Sequence, residues 1–288
     1  MPEVGDPSLA RPGRVVLLTG ASAGFGAALA RELARQKKAG AIVLTARRGD
    51  RLEQLAAELR AIQPGLEVDT IAADLAEPAT PRRLVAEIAA RFGGLDVLIN
   101  NAGLGLPTLF ADADPDHLAR QIAVNFTGPL LLTRLCLPSL IERRGMIVNI
   151  GSAITCVPNS ALGAYGATKA GLAYWNDALR RELYSKGVRV CLVEPGPIKT
   201  EFMDAIGSLL PAEQKAHPIL DNAAPWMTAD VDDVARRVSR LLDRPRRRLS
   251  VLRRFVWVFR LLGVVARTCP PLGDWLVRKF QHEDPASR

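Results

Sequence analysis

Short, continuous apolar runs recur along the chain and are separated by longer stretches in which apolar residues return every three or four positions. A short apolar run ended by glycine or a polar residue is typical of a parallel strand buried on both faces, and the longer stretches are typical of helices. Their alternation predicts an α/β fold, with a doubly wound parallel sheet between two layers of helices and right-handed crossovers. The predicted strands are residues 14–19, 41–45, 67–73, 96–100, 146–151, 188–193 and about 249–252, and the predicted helices are about 24–38, 50–62, 80–91, 115–124, 126–143 and 164–186.

A glycine-rich turn joins the first predicted strand to the first helix. Residues 19–26 read Thr-Gly-Ala-Ser-Ala-Gly-Phe-Gly. Gly20, Gly24 and Gly26 allow a tight turn, a close approach of the backbone to a pyrophosphate and close packing of the helix on the strand. The amides at the helix N-terminus would face the phosphates. The order of strand, glycine turn and alanine-rich helix therefore predicts a dinucleotide site.

The end of the second predicted strand bears on which dinucleotide is bound. An NAD(H) site places a carboxylate there for the ribose 2′-hydroxyl, whereas this chain has Arg47 and Arg48. Two guanidinium groups favour a 2′-phosphate through charge-assisted hydrogen bonds, and Ser22 adds a hydroxyl donor. The sequence thus predicts NADP(H) in preference to NAD(H). The alternative is that both arginines are solvated charges at the start of the next helix.

Two further strands end in residues suited to the edge where such sheets bind ligands. Asp74 and Leu75 close the third strand, where an adenine ring would lie. Asn100-Asn101-Ala102-Gly103 closes the fourth strand with amide side chains and a flexible backbone. A simple Asn-Gly type of turn is the alternative explanation of this second segment.

Ser152, Tyr165 and Lys169 carry the candidate chemistry. Ser152 stands just past the fifth predicted strand, and Tyr165 and Lys169 are four residues apart in the predicted helix 164–186. This spacing places phenol and ammonium on one helix face, so the cation is expected to lower the pKa of the tyrosine. A tyrosine tuned in this way exchanges a proton near neutral pH. A solvated helix surface produces the same pair by chance, so the pair alone decides nothing.

Composition and charge narrow the class of protein. The chain has 288 residues, 48% hydrophobic and 24% charged, which fits a single large globular α/β unit. Residues 236–288 contain fourteen Arg or Lys and four Asp or Glu, a net of +10, which leaves −2 of the total +8 for residues 1–235. The near-neutral body argues against a nucleic-acid-binding protein and makes the basic excess a local surface property.

Residues 1–13 contain no apolar run of a signal peptide, so a cytoplasmic location is expected.

The spacing of cysteine and histidine argues against a metal centre. The cysteines have no Cys-x-x-Cys spacing, and all but Cys269 lie in apolar surroundings, which predicts buried free thiols in a reducing compartment. The scattered histidines lack metal-ligand spacing. These residues are Cys136, Cys156, Cys191, Cys269, His117, His217 and His282.

Two segments after the sixth strand differ in character from the rest. Residues 197–228 show no clear period, which predicts either a lid over a substrate or an ordinary surface loop. In residues 253–267, arginines recur every seven positions on a helix that is otherwise almost wholly apolar. At about 22 Å this helix is shorter than the ~30 Å hydrocarbon core, so it is not expected to span a bilayer. Two alternatives stay open: a helix at the membrane interface with arginines towards headgroups, or a hairpin with residues 272–280 packed on its own domain or on a partner subunit.

With these segments in order, residues 12–255 resemble the short-chain dehydrogenase/reductase family in its single-domain form. The shared motifs are Thr-Gly-x-x-x-Gly-x-Gly at 19–26, Asp74, Asn-Asn-Ala-Gly at 100–103, Asn125, Ser152, Tyr-x-x-x-Lys at 165–169 and Pro-Gly at 195–196. Ser152 precedes Tyr165 by thirteen residues, the family spacing. Phe25 replaces the commoner isoleucine and Gly166 the usual serine or alanine, but neither change removes a functional group.

The resemblance implies a Rossmann fold with a seven-stranded sheet, often in dimers or tetramers formed through helices 126–143 and 164–186. It implies that Tyr165 is the catalytic acid/base, that Ser152 polarises the carbonyl, and that Lys169 lowers the tyrosine pKa and holds the nicotinamide ribose. Asn125 would position a water that links Lys169 to solvent. The implied cofactor-binding residues are Gly20, Ser22, Gly24, Phe25, Gly26, Arg47, Arg48, Asp74, Leu75, Asn101, Ala102, Gly103, Tyr165, Lys169, Pro195, Gly196 and Thr200.

The sequence therefore predicts an NADPH-dependent oxidoreductase that interconverts a carbonyl and a secondary alcohol. Its domain spans residues 1–252, and residues 253–288 form a C-terminal helical extension. The apolar lid and tail favour a lipid-, steroid- or acyl-like substrate and peripheral contact with the inner face of the membrane. The alternative is a catalytically silent family member that senses cofactor or serves as a scaffold; such proteins usually lose the tyrosine or the lysine, and this chain retains both.

Overall fold

The computed structural model describes residues 13–105, 108–158, 162–198, 228–269 and 271–272. Seven strands form one parallel sheet in the order β3-β2-β1-β4-β5-β6-β7, with helices on both faces, so the predicted fold class is confirmed. The strands are β1 Val15–Thr19, β2 Ala41–Ala46, β3 Glu67–Ala72, β4 Val97–Asn100, β5 Met146–Ile150, β6 Arg189–Glu194 and β7 Arg248–Ser250. The helices are α1 Gly24–Arg35, α2 Gly49–Ile62, α3 Thr80–Phe92, α4 Pro115–Ile122, α5 Gly128–Glu142, α6 Gly163–Glu182, α7 Val231–Ser239 and α8 Arg253–Thr268.

Buried aliphatic side chains hold both faces of the sheet. In β1, Val16 and Leu18 pack into one core and Val15 and Leu17 into the other, because successive side chains of a strand point to opposite faces. Each such fully buried leucine contributes about 1.5–3 kcal/mol relative to an exposed one. Burial on both faces therefore explains why the strands appear in the sequence as continuous apolar runs.

The sheet reverses its winding next to β1. This strand pairs with β2 on one side and β4 on the other. In an open parallel sheet such a reversal leaves a crevice beyond the carboxyl ends of the strands. The glycine turn after β1 and residues 101–105 after β4 flank this crevice, and the turn after β5 follows on the next strand.

Two helical features differ from the prediction. The separate helices expected on either side of Asn125 form one continuous run, in which α4 and α5 are joined by a π-helical turn, Ala123–Thr127. A π turn accommodates an extra residue without ending a helix, and such turns are frequent at functional sites. Helix α7 was not predicted, although Asp230 caps it by accepting a hydrogen bond from the Asp233 amide at 2.8 Å.

Helix α8 packs on the rest of the protein. Its Val256 is buried in a small core with Ala153 and Cys156, so a C-terminal helix forms as predicted and one of its faces covers its own domain. Several predicted features lie outside the described residues: Thr200, residues 199–227 of the expected lid, and residues 273–280 of the expected hairpin.

Candidate active site

The glycine turn between β1 and α1 has no room for a side chain at Gly20 or at Gly26. Gly20 and Gly24 have φ angles of +67° and +53°, which favour glycine. A Cβ on Gly20 would lie 2.7 Å from the Cα of Ala102, and one on Gly26 would overlap the carbonyl oxygen of Gly20. Phe25 is partly buried and packs on the core. The turn therefore presents bare backbone at the start of α1, which fits the pyrophosphate of a dinucleotide.

Thr19 ties this turn to the segment after β4, a role that sequence reasoning missed. Its hydroxyl oxygen accepts hydrogen bonds from the amides of Asn101 and Ala102, both at 3.0 Å. The Asn101 side chain donates in return to the carbonyl oxygens of Thr19, at 2.8 Å, and Gly20, at 3.2 Å. The amide group of Asn101 thus holds the turn in place. The available signal was a hydroxyl residue at the end of an otherwise apolar strand.

A polar cluster beyond β2 contains both predicted arginines. The Arg48 guanidinium donates to the Ser22 hydroxyl from Nε at 3.3 Å and from Nη2 at 3.2 Å. Burial opposes ionisation of Asp74, but a backbone hydrogen bond and the charges of Arg120 and Arg47 outweigh it, so the pKa of Asp74 lies below its usual value. Arg120 forms an ion pair with Asp74 and was not predicted as a site residue. The cluster offers fixed positive charge beside the glycine turn.

Lys169 and Asn125 are buried beneath the segment after β4. Lys169 is 4% exposed, and its Nζ donates to the carbonyl oxygen of Ile150 at 2.9 Å. Burial lowers the pKa of Lys169 to about 8. Asn125 exchanges two hydrogen bonds with the backbone of Leu104, accepting at Oδ1 over 2.7 Å and donating from Nδ2 over 2.8 Å. A Cβ on Gly103 would lie 3.7 Å from both Lys169 Nζ and Asn125 Oδ1, so these two groups flank Gly103.

The side chains of Ser152 and Tyr165 are hydrogen-bonded to each other. The amide of Ile154 also donates to Ser152 Oγ, at 3.2 Å, which fixes the hydroxyl at the start of a 3-10 turn, Ala153–Cys156. We call Ser152 and this turn the Ser152 turn. The Ser152 hydroxyl and the Tyr165 phenol therefore lie next to each other.

The pKa of Tyr165 differs from the expectation. Burial raises it to about 12, and the hydrogen bond with Ser152 opposes the rise. The expected lowering by Lys169 is not seen, because the Nζ of Lys169 lies 5.8 Å from the centre of the phenol ring and donates to Ile150. Desolvation of the phenol, which spacing in the sequence does not report, is the larger effect.

The remaining residues predicted to bind the cofactor are Leu75, which lies in the core, and Pro195 and Gly196, which lie next to Ala153 and Leu252. Pro195 accepts a hydrogen bond at its carbonyl oxygen from the Ala153 amide, at 3.0 Å, and Gly196 lies against the Leu252 side chain. Leu75 is buried in the core.

Within the described ranges, no three His, Cys, Asp or Glu side chains lie close enough to hold a metal ion.

Comparison with known proteins shows what this arrangement resembles. A family model described as short chain dehydrogenase matches residues 14–209. The serine 3-dehydrogenase of Rhizobium radiobacter is 38% identical over 188 residues, which cover 65% of this chain and 73% of that protein. The NADP-dependent 3-hydroxy acid dehydrogenase of Schizosaccharomyces pombe is 32% identical over 224 residues, 77% of this chain and 85% of that protein.

Solved structures give the same result. A short-chain dehydrogenase from Sphingobium yanoikuyae in complex with NADPH superposes with a TM-score of 0.71 at 28% identity, covering 96% of this chain and 98% of that one. L-sorbose reductase from Gluconobacter frateurii, complexed with NADPH and L-sorbose, superposes with a TM-score of 0.75 at 26% identity, covering 85% and 97%.

Proposed function

The chain belongs to the short-chain dehydrogenase/reductase family and is an oxidoreductase acting on CH–OH groups, and from this premise we propose that it interconverts a carbonyl and a secondary alcohol with NADP(H). The observation that carries the proposal is the meeting of Ser152, Tyr165 and Lys169 beside the bare glycine turn. NADPH supplies hydride chemistry when bound, and the chain supplies orientation and proton transfer.

Tyr165 and Ser152 act on the substrate oxygen. A phenol with a pKa of about 12 is protonated at neutral pH, the form that donates a proton to a carbonyl oxygen as negative charge develops on it. The Ser152 hydroxyl hydrogen-bonds the same oxygen and is already held by the Ile154 amide.

Lys169 and Asn125 have supporting roles beside Tyr165. We propose that the buried Lys169 ammonium holds the ribose hydroxyls of the cofactor and that Asn125 positions a water linking it to solvent. Both groups lie next to Gly103, which supports this pairing. The test of the overall function is NADPH oxidation with ketones, aldehydes and β-ketoacyl thioesters, with NADH as the control cofactor. Absence of turnover with every carbonyl class would contradict it.

Preference for NADP(H) is proposed from the cluster of Arg47, Arg48 and Ser22. Charge-assisted hydrogen bonds contribute about 1.5–3 kcal/mol each, so replacing both arginines by alanine is expected to weaken NADPH binding by about tenfold or more. Binding of NADH, which lacks the 2′-phosphate, should change about twofold at most. Fluorescence titration with both cofactors measures this. Arg35→Ala, at the far end of α1, is the matched control, and an equal loss for both cofactors would contradict the assignment.

Contact with a membrane surface, and with it a hydrophobic substrate, is proposed from the outer face of α8. Trp257, Leu261 and Val264 recur at helical spacing and are 69%, 66% and 56% exposed. Of the arginines that recur every seven positions, Arg260 pairs with Glu194 of its own domain and does not belong to this outer face. Among the described helices only the run Pro115–Glu142 has the length and composition to cross a bilayer, a property that ordinary core helices share, and it is partly buried here.

Trp257→Glu combined with Leu261→Glu is expected to reduce co-sedimentation with anionic liposomes by about tenfold or more, since each apolar side chain contributes about 1.5–3 kcal/mol on burial. Tyr184→Glu, which changes an exposed aromatic residue elsewhere, should sediment like the parent protein. Equal sedimentation of both variants would contradict the proposal. A parent protein that stays in solution and forms a dimer through the outer face of α8 would contradict it too.

Dimerisation through α5 and α6 is proposed on family grounds. Exposed apolar side chains, Leu131 on α5 and Tyr174 on α6, support it. Light scattering of the purified protein measures the mass, and a monomer at micromolar concentration would contradict the proposal.

A further inference from the structure

Helix α8 rests on two segments of the active site and lies beyond the residues that the family model matches, 14–209. A Cβ on Gly263 would overlap the carbonyl oxygen of Cys156, so the helix backbone touches the Ser152 turn directly. Leu252, just before the helix, lies against Gly196. The helix therefore contacts the Ser152 turn, and the residue that leads into it contacts the Pro195–Gly196 segment.

A buried carboxylate fixes this contact. Glu194, the last residue of β6, is 2% exposed. Its Oε1 accepts from Arg248 Nη1 at 3.0 Å, and its Oε2 accepts from Ser250 Oγ and Arg260 Nη2, both at 2.8 Å. Arg248 and Ser250 belong to β7, whereas Arg260 comes from α8. A buried charge needs such partners, so Glu194 specifies where α8 docks.

Arg260 also reaches the Ser152 turn. Burial raises the pKa of the Cys156 thiol, four residues after Ser152, and the neighbouring Arg260 guanidinium opposes that rise. The planar fork of arginine allows one side chain to hold two groups at fixed positions, which a lysine ammonium does less well. One guanidinium thus joins the end of β6, helix α8 and the turn that carries the catalytic hydroxyl.

We propose that Arg260, held by Glu194, is a positioning residue that keeps the Ser152 hydroxyl aligned with Tyr165, an inference that rests on the proposed reductase function. The C-terminal helix is in consequence part of the catalytic apparatus. Arg260 touches neither cofactor nor substrate oxygen in this scheme, so its effect passes through Ser152.

Arg260→Met is expected to lower kcat on the order of 10- to 100-fold, because displacements near 1 Å cost about that much in rate. The Kd for NADPH, measured by fluorescence, should stay within about twofold, since the glycine turn is not contacted. Arg236→Met removes a surface arginine paired with Asp233 and serves as the control, with kcat expected to be unchanged.

A double-mutant cycle with Ser152→Ala separates positioning from a general structural role. Once the hydroxyl is removed its alignment no longer matters, so Arg260→Met should cost about twofold or less in that background. An equal fold-loss in both backgrounds, or an unchanged kcat in Arg260→Met, overturns the proposal. If Ser152→Ala alone costs nothing, the proposed function fails instead, which distinguishes the two outcomes.

Arg260→Lys covers the case in which Arg260→Met fails to fold, judged by loss of NADPH binding. Lysine keeps the charge opposite Glu194 but lacks the fork that also reaches Cys156. We expect Arg260→Lys to have a near-parental Tm and a lowered kcat. In the Ser152→Ala background, Arg260→Lys should lower kcat little further. A parental kcat in Arg260→Lys overturns the role of the Cys156 contact.

Discussion

Tyr165→Phe is expected to reduce turnover by about 10²- to 10⁴-fold, the usual contribution of a positioned acid, while NADPH binds with nearly unchanged affinity. The substitution removes the phenolic proton and the hydrogen bond to Ser152 but keeps the half-buried ring. Steady-state NADPH oxidation and cofactor titration together measure the split between kcat and Kd.

Tyr184→Phe is the matched control, because Tyr184 is exposed and lies outside the site. It should retain full activity. Turnover of Tyr165→Phe equal to the parent enzyme would remove Tyr165 from the mechanism, and loss of NADPH binding would mean that the phenolic hydroxyl is needed to bind the cofactor.

Gly26→Ala is expected to disable the cofactor site. The added Cβ would overlap the Gly20 carbonyl oxygen and come 2.7 Å from Asn101 Nδ2, so the turn must shift. Overpacking of this kind costs about 1–3 kcal/mol of stability. We expect NADPH affinity to fall by about tenfold or more, because the backbone that approaches the pyrophosphate is the part displaced.

Gly166→Ala is the control for a glycine-to-alanine change within a helix. A Cβ on Gly166 meets nothing within 4 Å, so the variant should gain about 0.5–1 kcal/mol of stability and bind NADPH normally. Thermal unfolding and fluorescence titration read out both variants. Normal NADPH binding by Gly26→Ala would show that the turn has room that the structure does not give it.

Features that depend on local chemistry could be predicted from the sequence. The glycine turn is an example, since positive φ angles at Gly20 and Gly24 require the residue type that the sequence shows. The buried strands were equally readable, because burial on both faces leaves a continuous apolar run. Family spacing then brought Ser152 and Tyr165 into one site, and the structure places their side chains in hydrogen-bond contact.

Features that depend on tertiary surroundings could not be predicted from the sequence. The pKa of Tyr165 is set first by burial, which a four-residue spacing to Lys169 does not encode. The period of seven left open whether Arg260 faces headgroups or its own domain, because nothing local reveals that Glu194, 66 residues earlier, is buried opposite it. Asn125 was taken as a break between helices, since a π turn and a helix boundary look alike in sequence.

The docking of α8 on the Ser152 turn also has a consequence for synthesis in the cell. Chains emerge from the ribosome N-terminus first, and domains fold as they emerge. The glycine turn and the polar cluster beyond β2 are made early, whereas the arginine that aligns the catalytic hydroxyl is made after all seven strands. The residues proposed to hold the dinucleotide are therefore synthesised well before the residue proposed to align Ser152.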